Sequence, residues 1–169
     1  MNAALASCAR ELYQIGAEAM EMLKQGDGLH TWYEDINLWP SVYSGIQAII
    51  NRTTPCHRDS GAAAPVFDLL VSAGTHRSAA MTLGDIQAKL SYMPGTIILV
   101  CGRVLRHEVP TWKGGERICI AHFMRDNVHE RLCLPRPKWV SMDSYRDMMS
   151  SQFLSRQNSH SKRTHSQKI

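Results

Sequence analysis

Two histidines and one aspartate in this sequence are spaced so that they can bind one metal ion. His57 and Asp59 are separated by one residue, and in an extended backbone residues i and i+2 project to the same side. Their imidazole and carboxylate can therefore converge, while Arg58 points away. His107 follows a glycine turn at Gly102 and adds a second imidazole. Two histidines and one carboxylate form the facial triad that binds Fe(II) and leaves positions open for a bidentate 2-oxoacid and O₂.

An arginine follows the second histidine at a spacing that suits an anion next to the metal. Arg117 comes ten residues after His107, across a turn that contains Gly114-Gly115. This spacing predicts a position on the neighbouring strand, where a guanidinium can bind a carboxylate in bidentate fashion and a lysine could not. Alone, an HxD pair is usually an ordinary surface or core pair, and a lone arginine is usually solvated. Together, in this order, they predict an Fe(II) site that uses 2-oxoglutarate.

The elements that must position these residues are mostly short strands. Apolar and β-branched runs separated by Gly, Pro and Ser predict strands at 42–51, 66–73, 81–92, 96–101, 104–109 and 117–124. Strands at this spacing, without helical patterns between them, favour an antiparallel sandwich or barrel. Apolar residues at helical spacing predict one helix over 3–24, and a short helix is expected over about 142–153.

Composition is typical of a soluble globular protein of one domain. The chain has 169 residues, of which 44% are hydrophobic and 20% charged. It has no uninterrupted apolar run of about 18 residues, so a transmembrane helix is not expected. Five cysteines without a CxxC spacing disfavour a zinc ribbon or a disulfide framework and favour a reducing, intracellular compartment. The net charge of +4 permits a polyanionic partner but does not require one.

The chain is expected to divide into four parts. Residues 1–40 form an N-terminal helix and an aromatic connection packed on the core, and residues 41–134 form the catalytic β core. Residues 135–154 contain the C-terminal helix. The tail, 155–169, is basic, contains no acidic residue and is predicted to be disordered. It is either a solvated end or a weak attachment to nucleic acid.

Several motifs together resemble the TET/JBP group of dioxygenases, in particular its fungal, transposon-associated branch. They are AIINRTTPCHRD at 48–59, FDLLVS at 67–72, YMPGT at 92–96, CGRVLRHEV at 101–109 and GERIC at 115–119. Members of that branch oxidise 5-methylcytosine and, in some cases, N6-methyladenine. The resemblance covers about residues 42–132. It implies a mainly β fold with flanking helices around a double-stranded β-helix, a jelly-roll or cupin-like core.

The resemblance also implies roles for individual residues. His57, Asp59 and His107 would be the iron ligands, and Arg117 would bind 2-oxoglutarate. Arg52, five residues before the first histidine, matches an arginine that contacts the co-substrate in relatives; otherwise it is an ordinary strand-edge arginine. The substrate would be a methylated base in DNA, flipped out of the duplex, and the protein would be nuclear.

The sequence departs from the group where a cytosine would be read. Relatives that act on 5-methylcytosine often have Asp or Asn where this chain has Ala62, and a histidine where it has Arg125. Strand alternation puts Arg125 on the face of Arg117 and puts His122 on the other face. Arg125 is therefore expected to contact the base or a phosphate, and Asp126 is a nearby candidate.

Trp112 lies in the turn before Arg117 and is either a base-stacking residue or a partly buried loop aromatic.

The chain also looks short for this group. Two alternatives therefore stay open. One is a catalytically degenerate β-helix module that binds DNA or a protein partner. The other is the same oxygenase chemistry on RNA or a small molecule.

Overall fold

Short strands with alternating burial form two antiparallel sheets. The computed structural model describes residues 1–25, 37–147 and 149–150, and the described part contains nine strands. They are β1 (Gly45–Ile50), β2 (Thr54–His57), β3 (Asp68–Gly74), β4 (Ser78–Leu83), β5 (Ala88–Ser91), β6 (Ile97–Val100), β7 (His107–Val109), β8 (Trp112–Lys113) and β9 (Arg117–Phe123). The first sheet has the order β1-β9-β3-β6, and the second has the order β2-β7-β4-β5, with β8 paired to β4. This is the expected jelly-roll core.

Strands β3 and β6 of the first sheet face the second sheet with one set of side chains and the helices with the other. In β3, Leu70 packs into the apolar cluster shared with the second sheet, whereas Leu69 packs into the cluster that contains the helices. The same alternation in β9 directs Cys119 inward. A one-residue shift would exchange these two faces, so burial on both sides determines the register.

The described residues of the first unit of the chain, 1–25 and 37–138, contain three helices beside the sheets. They are α1 (Asn2–Cys8), α2 (Arg10–Lys24) and α3 (Asp126–Arg131). Leu5 of α1 and Leu12 and Ile15 of α2 are buried in one cluster with Leu69. The amphipathic N-terminal segment therefore covers the outer face of the first sheet.

The single helix expected over 3–24 is interrupted at Ala9. Ala9 has φ −144° and ψ 68°, outside the helical region, and is only 4% exposed. The break allows both helices to direct leucines into the same cluster, so tertiary packing overrides the strong helix propensity of alanine here. No pattern in the sequence marks this position.

The run at 81–92 is a hairpin rather than one strand. β4 and β5 are joined by a 3₁₀ turn, Gly84–Ile86, and Gln87 has a positive φ of 52°. The sequence Gly84-Asp85 inside the apolar run could have indicated this turn.

One further expected strand needs correction, and three short elements were not expected. Only 107–109 of the 104–109 run is a strand, because Val104 and Leu105 donate backbone hydrogen bonds to Cys101 in a turn. β2 and β8 were not expected, since they are short and lack an apolar run. Nor was α3, which has little apolar periodicity.

The described residues after 138 belong to a second unit of the chain. Its helical residues, 142–147 and 149–150, agree with the expected C-terminal helix as far as they are described. The tail at 155–169 and most of the aromatic connection, at 26–36, lie outside the described residues. Among the described residues, no helix is long and apolar enough to cross a membrane.

Candidate metal centre

His57, Asp59 and His107 come together at the edge of the second sheet. One ligand atom from each lies within 4.8 Å of the others. His57 Nε2 is 3.4 Å from Asp59 Oδ1, and His107 Nε2 is 3.6 Å from Asp59 Oδ2. Ligands about 2.1 Å from an ion on adjacent octahedral positions lie about 3 Å apart, so a small closure would place all three on one divalent ion.

Hydrogen bonds orient both imidazoles for metal binding. His57 Nδ1 lies 2.8 Å from the carbonyl oxygen of Pro55, and His107 Nδ1 lies 3.1 Å from that of Leu105. A carbonyl can only accept, so in each ring the proton is on Nδ1 and the lone pair is on Nε2. Both Nε2 atoms face Asp59. A partner that fixes the tautomer and the ring orientation is typical of metal-binding histidines.

Strand pairing and one turn set the position of the three side chains. His57 of β2 is directly opposite His107 of β7, and their ring centres are 4.3 Å apart. Asp59 follows β2, and its backbone N–H donates to the carbonyl of Gly102 at 2.9 Å. A Cβ on Gly102 would overlap Asp59 Oδ2 and lie 2.7 Å from Asp68 Oδ2, so any side chain there would displace the two carboxyl groups.

Asp68 contributes a second, buried carboxyl group beside Asp59. Both of its oxygens are buried, and the Asp59 carboxyl group and the backbone of Gly102 lie beside it. Burial, reinforced by the neighbouring Asp59 carboxylate, raises the pKa of Asp68 to about 8. A neutral Asp68 beside the triad agrees with a metal site that uses a single carboxylate ligand.

Arg117 is a buried cation that needs an anion. Its side chain is 1% exposed, and it forms no ion pair with the residues that the structure describes. Nη1 donates to the carbonyl of Arg52 at 2.7 Å, and the guanidinium lies 5.7 Å from the ring centre of Tyr92. Nε is buried without a partner within the described part of the chain. Burying an unpaired charge is unfavourable, so this group fits a carboxylate ligand.

Asn51 holds the backbone of Arg117 in place. Its N–H donates to the carbonyl of Arg117 at 2.8 Å, and its Oδ1 accepts from the N–H of Arg117 at 2.9 Å. Asn51 has φ 48°, a left-handed conformation that asparagine tolerates better than most residues. Asn51 lies between β1 and β2, and its role becomes visible only when β1 is paired with β9, which brings it next to Arg117.

One cavity of about 340 Å³ contains both the triad and Arg117. This volume lies within the range of small-molecule sites. Its wall also includes Gln47, Ala62, Asp68, Phe123 and Arg125. The alternation predicted for β9 is therefore correct: Arg117 and Phe123 line the cavity, while His122 faces away and contacts Ser41. Gln47 and Phe123 were missed as cavity residues, although strand parity could have indicated both.

Three of the residues predicted for the site are not in the cavity wall. Arg52 contacts Arg117 through its main-chain carbonyl. Trp112 is half-buried against the cluster between the sheets, and its Nε1 donates to the carbonyl of Gly115. Asp126 begins α3 and pairs with Arg136 at 2.7 Å. Their functional roles stay predictions that these contacts do not support.

Two buried histidines away from the metal centre should make the folded protein less stable in acid. Burial lowers the pKa of both His122 and His129, each of which has a buried Nε2 with no partner among the described residues. An imidazole in the unfolded chain has an ordinary pKa of 6.5, so just below this pH the folded state binds fewer protons than the unfolded chain. The stability they contribute is complete above that pH and is lost as the pH falls through it.

Urea unfolding at pH 7.5 and 5.5 measures this effect. The matched variant is His129→Asn, whose amide can still donate to the carbonyl of Pro135, the acceptor of His129 Nδ1. We expect the variant to lose less stability than the wild type between the two pH values. Equal losses would show that His129 does not contribute.

Comparisons with known proteins agree with this geometry. A sequence model of the TET/JBP family, described as the oxygenase domain of the 2OGFeDO superfamily, matches residues 1–126. No curated protein matches significantly. NgTET1, solved in complex with 5mC DNA, is similar over 73% of this chain, with 17% identity and a TM-score of 0.50. The similarity spans 52% of the NgTET1 chain.

A cupin 2 conserved barrel domain protein from Salinispora arenicola is similar over 56% of this chain and 76% of its own, with 13% identity and a TM-score of 0.36. The NgTET1 comparison concerns the fold, whereas the family match spans well over half of the sequence. The family match also includes the N-terminal helices, which lie outside the motifs quoted from the sequence. The chain therefore belongs to the TET/JBP family of Fe(II)- and 2-oxoglutarate-dependent oxygenases.

Proposed function

We propose that this oxygenase oxidises a methylated base in DNA, 5-methylcytosine or N6-methyladenine, and acts in the nucleus. His57, Asp59 and His107 hold Fe(II), and Arg117 binds 2-oxoglutarate. The observation that carries the proposal is that all four residues line one cavity whose wall also contains an aromatic ring and polar side chains. A planar polar base needs both a stacking surface and hydrogen-bond partners.

The inner part of the cavity suits the metal and the co-substrate. When bound, they supply the oxidising chemistry that removes hydrogen from a methyl group. The protein contributes two imidazole lone pairs and one carboxylate. The Arg117 guanidinium gives the distal carboxylate of 2-oxoglutarate a fixed, buried partner, and therefore orients its 2-oxoacid end toward the triad. Apolar walls that include Met81 and Val109 keep water away from this end.

The rest of the cavity suits a flipped base. The Phe123 ring is one wall, and the Arg125 guanidinium lies 5.7 Å from the centre of that ring. Gln47 can both donate and accept, while Arg125 can only donate. Ala62 offers no polar group where relatives have an acid or an amide. We therefore assign base recognition to Gln47 and Arg125, with Phe123 as the stacking surface.

Arginines beside the cavity suit a DNA backbone. NgTET1 was solved with 5mC DNA, which makes DNA the reasonable partner to test. Arg103 is exposed and donates to the carbonyl of Ser60, a residue of the cavity wall. Neither Arg103 nor Arg125 forms an ion pair with another described residue. Exposed Arg103 is therefore available for a phosphate, and Arg125 for the base.

Arg103→Ala should weaken DNA binding about equally for methylated and unmethylated duplexes. Loss of one phosphate contact makes the slope of log K against log salt concentration less negative by about 0.9. Fluorescence anisotropy at several salt concentrations measures both effects. Arg77→Ala is the matched control, because exposed Arg77 follows the end of β3 opposite to Asp68. An unchanged salt slope in Arg103→Ala would remove Arg103 from the interface.

The substrate is tested with purified protein, Fe(II) and 2-oxoglutarate mixed anaerobically, followed by O₂ and duplex DNA. Separate duplexes contain 5-methylcytosine or N6-methyladenine, and single-stranded methylated RNA is included. Nucleosides are quantified by mass spectrometry and succinate by its own assay, with His57→Ala as the inactive control. Oxidised DNA base that is absent from the control supports the proposal.

Other outcomes distinguish the alternatives. Oxidised base from RNA alone would transfer the chemistry to RNA. Succinate without oxidised nucleic acid would keep the oxygenase and reject the methylated-base substrate. If the wild-type protein is folded but forms neither succinate nor oxidised base, a binding module without catalysis is favoured.

A further inference from the structure

Asp85 forms three hydrogen bonds with two arginines that are distant from it in sequence. It lies in the 3₁₀ turn Gly84–Ile86, between β4 and β5. Its Oδ1 accepts from Arg58 Nη2 at 3.0 Å and from Arg106 Nε at 3.0 Å. Its Oδ2 accepts from the backbone N–H of Arg106 at 2.6 Å. One carboxylate therefore connects two segments of the chain.

Both arginines are direct neighbours of the candidate metal ligands. Arg58 lies between His57 and Asp59, and Arg106 immediately precedes His107. Arg58 also donates from Nε to the carbonyl of Val104 at 2.9 Å, which fixes the guanidinium at a second point. Each bond to Asp85 therefore limits the movement of a peptide unit that carries a ligand.

The backbone of the turn reinforces the same connection. Gly84 N–H donates to the carbonyl of Arg106 at 2.9 Å, so Arg106 is held through its main-chain N–H, its main-chain carbonyl and its side chain. By contrast, pairing between β2 and β7 is irregular, with a register shift between Thr54 and His57. The strand ladder alone does not fix the separation of the two ligand segments, and Asp85 supplies a connection outside it.

We infer that Asp85 is a positioning residue for the metal centre, a conclusion that rests on the assignment of His57, Asp59 and His107 as ligands. Surface ion pairs contribute little to global stability, because solvent screens them and their side chains lose entropy. Residues that orient metal ligands act differently, since their loss changes metal affinity about 10- to 100-fold. Asp85 should therefore affect metal binding much more than it affects folding.

The test measures metal affinity and folding separately. Anaerobic calorimetry with Mn(II) gives the Kd, and thermal unfolding of the metal-free protein gives the Tm, for wild type, Asp85→Ala and Asp85→Asn. Glu21→Ala is the matched control, because Glu21 forms an exposed ion pair with Lys24 in α2, away from the ligands. We expect Asp85→Ala to weaken Mn(II) binding about 10-fold or more at a nearly unchanged Tm, Asp85→Asn to weaken it less, and Glu21→Ala to leave it unchanged.

A double-mutant cycle with Arg58→Met tests the route. If Asp85 acts through Arg58, the loss of Mn(II) affinity in the Asp85→Ala/Arg58→Met double variant is smaller than the sum of the losses in the two single variants. Should Asp85→Ala fail to fold, the comparison of Asp85→Asn with wild type decides the matter. If Asp85→Ala folds and binds Mn(II) with wild-type affinity, the inference is overturned. If only Asp85→Asn folds, wild-type Mn(II) affinity in that variant overturns it. Failure of the wild type itself to bind Mn(II) would instead contradict the ligand assignment.

Discussion

Arg117→Met should abolish tight binding of 2-oxoglutarate and leave the metal-free protein at least as stable as the wild type. The wild type buries a guanidinium that has one carbonyl partner and no carboxylate partner among the described residues. Methionine removes this desolvated charge and fills much of the same space. The loss of one hydrogen bond to Arg52 costs about 1 kcal/mol, whereas an uncompensated buried charge costs several.

The effect on the co-substrate should be large. Removing one partner of a buried, hydrogen-bonded charge pair typically costs about 2–5 kcal/mol, which corresponds to roughly 30-fold or more in Kd. Calorimetry with 2-oxoglutarate in the presence of Mn(II) measures it, and thermal unfolding of the metal-free protein measures stability. Arg77→Met is the control for loss of an exposed arginine. Unchanged 2-oxoglutarate affinity would show that the anion binds elsewhere. A large loss of stability would show that Arg117 is mainly structural.

Gly102→Ala should eliminate metal binding although it adds only a methyl group. The new Cβ would overlap Asp59 Oδ2 and approach Asp68 Oδ2. The backbone of Gly102 cannot withdraw easily, because its carbonyl accepts from Asp59 N–H and its own N–H donates to Val100. Asp59 must therefore turn away from both imidazoles, and the site loses its carboxylate ligand.

Mn(II) calorimetry on Gly102→Ala should show at least a roughly 100-fold weaker Kd, comparable to that of Asp59→Ala, since the remaining histidines bind a hard divalent ion poorly. Gly84→Ala is the matched control, because a Cβ there comes no closer than 3.9 Å to Arg106 Cβ. Circular dichroism verifies that both variants are folded. Affinity within a few-fold of wild type in Gly102→Ala would mean that Asp59 is not held where the structure has it.

Local patterns in the sequence predicted the parts of the site that depend on strand alternation. His57, His107 and Arg117 could be placed because each strand directs alternate side chains to one face, whereas Asp59 lies just after β2 and is held by the carbonyl of Gly102. The same rule separated Arg125 from His122. The jelly-roll core followed from the spacing of the strands together with the resemblance to the TET/JBP group.

The sequence could not reveal residues whose roles depend on contacts between distant segments. Asp85 looked like part of a strand, and its two arginine partners are 27 and 21 residues away. Asn51 acts on the backbone of Arg117, 66 residues later. The same limit explains the break at Ala9, where burial against the sheet outweighs local helix propensity.

The most direct test of the proposed site is whether Fe(II) and 2-oxoglutarate bind together in this one cavity. Anaerobic addition of both to the protein should produce the visible charge-transfer band of an iron-bound 2-oxoacid, and neither component alone should produce it. We predict this band in the wild type, its absence in Asp59→Ala, and its recovery in Arg117→Met only at much higher 2-oxoglutarate concentrations. A folded wild type without the band, or a band that persists unchanged in Asp59→Ala, would contradict the assignment of the site.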